Sequence, residues 1–108
     1  MGGLKDVFED FQTIAEILII IRNKIDLETD VVWTVYDSPQ QLIDYLNGYI
    51  EKIHAGNSET LSRVYMEFGP TGTYQELSIS NGWGNEYVEL SKQFDYYHKR
   101  IRAVIPAS

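Results

Sequence analysis

Apolar side chains recur along the first fifth of the chain at intervals of three and four residues. Val7, Phe8, Phe11, Ile14, Ala15, Leu18 and Ile21 follow this spacing, with Asp6, Glu9, Asp10, Thr13 and Glu16 between them. The pattern predicts an amphipathic helix over about 4–22. Its last turn is apolar all round, through Ile17, Ile19 and Ile20, so this turn is either covered by the fold or meets a partner.

The periodicity then changes. Val31-Val32-Trp33-Thr34-Val35-Tyr36 is dense in β-branched and aromatic residues and lies between Asp30 and Asp37-Ser38-Pro39, which predicts a strand. Ser38-Pro39-Gln40-Gln41 reads as a helix start: an N-cap serine, proline at the first helical position, and a glutamine three residues on that closes a capping box. This helix follows the stripe Leu42, Leu46, Tyr49, Ile50 and Ile53 to about Ala55, where Gly56 supplies a left-handed stop.

Val64, Met66 and Phe68 alternate with Arg63, Tyr65 and Glu67, and Gly69-Pro70-Thr71-Gly72 turns the chain into Thr73–Ile79. This predicts a hairpin. After Asn81-Gly82-Trp83-Gly84, the positions Tyr87, Leu90, Phe94, Tyr97 and Ile101 predict a last helix over about 86–101. The order is α-β-α-β-β-α. It implies an α+β two-layer sandwich in which helices cover one face of a small mixed sheet of three or four strands. No repeat or linker divides the chain, so residues 1–108 form one domain.

In that hairpin Val64, Met66, Phe68, Leu77 and Ile79 face the core. Arg63, Tyr65, Glu67, Tyr74 and Glu76 share the open face, joined by Thr34 and Tyr36 if Val31, Trp33 and Val35 point inward. Such a face is either solvated sheet or a contact surface, for which tyrosine is suited by its large area and polar tip. Glu67 and Glu76 are expected to be diagonal neighbours roughly 7–8 Å apart, a separation that inverting glycosidases use. Nothing in the sequence desolvates either carboxylate. Trp83, between two glycines, is expected to fold onto the core or to serve as an exposed hot spot.

Charge sharpens this picture. The formal net charge is −7. Between Lys24 and Lys52 there is no Lys or Arg, whereas Asp26, Glu28, Asp30, Asp37, Asp44 and Glu51 all fall there. This acidic segment repels nucleic-acid phosphates and anionic membranes and would steer a basic protein toward it. With no cysteine and only two histidines, thiolate zinc sites and disulfides are excluded, and no cofactor or metal is expected. His54 and His98 look like cations near helix C-termini. Asp26, Glu28 and Asp30 lack the glycine and distal glutamate of an EF-hand loop. Asn81-Gly82-Trp83-Gly84 fails the dinucleotide fingerprint at Tyr87, Gly69-Pro70-Thr71-Gly72 has no following Lys-Ser/Thr, and no serine sits in a Gly-x-Ser-x-Gly elbow. The start Met1–Asp6 has no signal-peptide or myristoylation pattern, and the apolar run Ile17–Ile21 is too short to span a bilayer. A cytoplasmic location is expected.

These readings converge on a small acidic protein-interaction module without a catalytic constellation, in particular a stoichiometric inhibitor or immunity-type protein that occludes a basic toxin or nucleic-acid enzyme. Tyr36, Arg63, Tyr65, Glu67, Tyr74, Glu76 and Trp83 are the expected contacts, with Asp37 and Asp44 steering. Two alternatives remain. One is a small enzyme or ligand-binding domain with its site between the open sheet face and the Trp83 loop. The other is a homo-oligomeric subunit that pairs through Ile17, Ile20 and Ile21.

Overall fold

A computed structural model describes residues 3–70 and 72–107, and its described residues form five helices and no strand. The expected α+β sandwich is therefore replaced by an all-helical fold. Helix α1 spans Leu4–Asn23, α2 Pro39–His54, α3 Ser58–Glu67, α4 Thr73–Ser80 and α5 Gly84–Val104. The long helices α1 and α5, each about 30 Å by helical rise, pack against one another, and α1 also packs on α2. The described residues extend 44 × 24 × 23 Å along their principal axes.

The three expected helices are present. In α1 the predicted stripe is buried except at Phe8, and the fold itself covers the apolar last turn at Ile17 and Ile21. Only Ile20 of the three residues expected at a dimer interface stays exposed. At the start of α2, Ser38 accepts a hydrogen bond from the Gln41 backbone N–H at 3.1 Å. The Gln41 side chain accepts from the Asp37 N–H at 2.7 Å, one residue before the partner a capping box would use. Gly56 has the expected positive φ of 77°.

The hairpin is where expectation and structure part. Arg63–Phe68 is the second half of α3 and its cap, and Thr73–Ile79 is most of α4. Val64 and Phe68 lie at helical as well as alternating positions, Leu61 fits only the helical spacing, and burying all three in a helix leaves Met66 exposed. The start of α3 is specified locally, because the Asn57 side chain accepts from the Thr60 N–H at 2.8 Å. Gly72 caps α4 where a Cβ would lie 2.4 Å from the Glu67 carbonyl oxygen, so the tight passage from α3 into α4 needs glycine there. Thr71, within the expected turn, lies outside the described residues, as do Met1 and Gly2 of the N-terminal reading.

Phe68 is the hub of this half of the molecule. Its ring stacks on Phe94 of α5 with centroids 4.1 Å apart, meets the Tyr74 ring edge-on at 5.0 Å, and its carbonyl accepts from the Tyr87 hydroxyl. Such aromatic pairs add about 0.5–1.5 kcal/mol each beyond their burial. Polar ties close the bundle. Buried Asp10 of α1 pairs with Arg100 of α5 at 3.0 Å. Arg102 donates to the Ser58 hydroxyl and carbonyl and to the Ser62 hydroxyl, tying α5 to α3. Gln12 of α1 bonds the carbonyl and ring of His54 at the end of α2.

Candidate functional site

The expected strand, 31–36, is an irregular connection between α1 and α2. Asp30 and Thr34 work against extended pairing. The Asp30 carboxylate accepts from the Val32 N–H at 2.9 Å, and the Thr34 hydroxyl accepts from the Tyr36 N–H at 3.2 Å. These turns use backbone donors a sheet ladder would need. Asp26 does the same upstream through the Glu28 N–H.

The connection is held at both ends. Asn81, at the end of α4, accepts from the Asp30 N–H and donates to the Asp30 carbonyl, each at 2.9 Å. Its amide also donates to the Leu77 carbonyl. Further on, the Tyr36 hydroxyl donates to Glu67 Oε2 at 2.8 Å, while Thr73 donates to Glu67 Oε1 at 3.1 Å. Ile25, Val31 and Tyr36 pack inward. Between these anchors Val32, Trp33 and Val35 are 71%, 69% and 85% exposed. Leu27 is exposed as well.

Glu67 organises a cluster of tyrosines. Tyr36 meets Tyr45 edge-on at 5.3 Å, and Tyr45 lies 6.3 Å from Tyr49. Burial, reinforced by its bond to Glu67, pushes the Tyr36 phenol far above its usual range, and burial also raises Tyr49. Both phenols therefore remain neutral donors at ordinary pH. The acids Asp26, Glu28, Asp30, Asp37, Asp44 and Glu51 are all exposed, and none forms an ion pair among the described residues.

Comparison with known proteins finds no match: no family model fits the chain, and no curated protein or solved structure is significantly similar to it. The chemistry must be read from the residues.

The sites expected from the sequence are only partly brought together. Tyr36 and Glu67 join directly. Tyr65 is half-exposed and stacks on His98 at 4.4 Å. Arg63 is exposed, paired with Glu59, and shares a shallow hollow with Asp44 and Tyr45. Asp37 lies at the exposed start of α2. Glu76 is half-buried on α4. Tyr74 is fully buried, its hydroxyl without a partner among the described residues and its pKa well above the usual value through burial. It has no surface to offer a partner. Trp83 is also buried, beneath the Lys24 ammonium that pairs with Glu86.

The open sheet face on which Glu67 and Glu76 were to be diagonal neighbours does not exist, and both oxygens of Glu67 accept bonds from within the fold. His98 lies two turns before the end of α5 rather than at its C-terminus, where burial and Arg102 lower its pKa against the pull of Asp95. Among the described residues no three His, Asp or Glu side chains converge as a metal site, and no helix is long and apolar enough to cross a membrane. The residues missed were Trp33, Val32 and Val35. Two turn-forming side chains, Asp30 and Thr34, were the local signal that this run need not be a strand.

Proposed function

We propose that this domain acts by stoichiometric protein binding, as an inhibitor or immunity-type protein, and that the α1–α2 connection is its contact surface. The observation that carries the reading is the exposure of Val32, Trp33 and Val35 on a segment pinned by Asn81 and Glu67. Exposed apolar side chains on a restrained backbone mark interaction sites, because binding them costs little further ordering. Tryptophan is the residue type most enriched among binding hot spots.

Charge favours a basic partner. The surrounding carboxylates have no basic neighbour in sequence between Lys24 and Lys52, and such a field accelerates encounter with a cationic surface. Occlusion of that surface needs no catalytic group, in keeping with a Glu67 whose oxygens already accept internal bonds.

The test compares the unaltered protein with a Trp33→Ser, Val35→Ser variant in affinity capture from the native lysate at low and moderate salt. Retention of one basic protein in a stoichiometric complex by the first and its loss by the second supports the reading. A complex that survives both substitutions removes the connection as the contact surface. Salt-independent association removes the steering role of the acids.

A further inference from the structure

Beside the connection lies a groove of about 860 Å³, bounded by the last turn of α3, the first turn of α4 and one face of α5. Val35, Tyr65, Met66 and Phe68 supply apolar and aromatic wall, and Glu67 and Asp95 supply carboxylates. Among the described residues that line it, none is Lys, Arg or His. The α3 C-terminus and the α4 N-terminus that border it carry opposite partial charges, so its negative character comes from Glu67 and Asp95. Asp95 is exposed and forms no ion pair among the described residues. Its charge reaches the Tyr87 hydroxyl, whose pKa is raised chiefly by burial and further by Asp95, and the His98 ring, whose pKa burial and Arg102 lower against the pull of Asp95.

We infer that this groove receives an arginine side chain of the protein that docks on the α1–α2 connection. The inference rests on the protein-binding reading for its occupant and goes further by stating what that partner must present. Val35 belongs to both surfaces, being an exposed residue of the connection and part of the groove wall. An arginine side chain is amphipathic in the way the groove is. Its methylene stem suits Val35 and Met66, its planar guanidinium suits an aromatic wall, and its fork of donors suits the two oxygens of Asp95. The groove opens to solvent, so the cation enters without complete desolvation and escapes the large penalty of a buried charge. Glu67 adds negative charge while its hydrogen bonds to Tyr36 and Thr73 keep it fixed.

The test uses the full chain and small probes. Amide chemical shifts are followed by NMR as N-acetylarginine amide is added, and separately as its neutral isostere N-acetylcitrulline amide and as N-acetyllysine amide. Saturable shifts confined to Val35, Tyr65–Gly69 and Tyr87–Asp95, with binding weakened about tenfold or more by citrulline or by Asp95→Asn, are expected for one charge-assisted contact. Asp44→Asn, which removes an acid outside the groove, should leave the affinity within about twofold. Equal binding of citrulline, equal loss in both variants, shifts spread over the acidic connection, or no saturation overturns the inference. Equal or tighter binding of lysine overturns the assignment to arginine. These outcomes are separable from the protein-binding reading. A partner captured through Trp33 but indifferent to Asp95→Asn leaves that reading standing and removes the groove, whereas saturable arginine binding without a captured partner does the reverse.

Discussion

The α3–α5 half of the molecule and the α1–α2 connection contain similar residue types and use them in opposite ways. In the first, Phe68, Tyr74, Tyr87 and Phe94 are buried against each other. In the second, Trp33 and its two valine neighbours stand in solvent while a few hydrogen bonds fix the backbone beneath them. Aromatic content therefore does not tell core from surface. What differs is how the backbone satisfies its polar groups. A helix pairs its own N–H and C=O groups and frees one face for burial. The connection must borrow partners from Asp30, Thr34 and Asn81, and those partners can be removed one at a time.

The largest test of this contrast is Phe94→Ala. Removing a fully buried ring that stacks on Phe68 should cost about 3–5 kcal/mol, read as a large fall in the denaturation midpoint. Asn81→Ala comes next. It removes the two exposed bonds to the Asp30 N–H and carbonyl, worth about 0.5–1.5 kcal/mol each, while the Leu77 carbonyl keeps the Asn81 backbone N–H. Hydrogen exchange at the Asp30 amide should accelerate strongly while amides in the middle of α1 and α5 change little. Uniform acceleration would mean that the connection and the bundle open together.

Ser38→Ala removes the N-cap at the end of the connection and should cost about 1 kcal/mol. A smaller effect follows from His98, whose pKa is lowered from 6.5 mainly by burial. The unfolded chain binds a proton there more readily than the folded one. His98 thus supports the fold fully above pH 6.5, and this support declines as pH falls through 6.5 toward the folded value. His98→Gln should flatten stability over that window. Trp33→Ser should be the smallest change, within about 0.5 kcal/mol in stability, while abolishing capture of the partner. A substantially destabilised Trp33→Ser protein would place that ring in the fold rather than on its surface.

Legibility in the sequence followed the range of the interactions involved. Ser38, Pro39 and Gln41 announce the start of α2 because a cap is satisfied within four residues. Gly56 and Asn57 carry the same kind of signal for α3, which the alternation of Val64, Met66 and Phe68 obscured. That short run fits a strand and a helix equally well. Its state depends on whether Phe68 meets a partner strand or the distant ring of Phe94. The candidate site was legible in part. Tyr36, Glu67 and the unbroken acidic segment were visible as types and charges, but their grouping was assigned to a sheet, which placed Tyr74 on the surface and Trp33 inside.

By itself the sequence determined the long amphipathic helices α1, α2 and α5, the cap at Ser38, the stop at Gly56 and the acidic character of residues 26–51. Helical period, capping and net charge are properties of neighbouring residues. Only the tertiary structure decided that 31–36 is not a strand, that Trp33 is exposed and that Trp83 is covered. A strand exists only where another segment offers a ladder. Once 58–67 and 73–80 became helices, none of the described residues supplied one, and the turns of Asp30 and Thr34 turned Val32, Trp33 and Val35 outward.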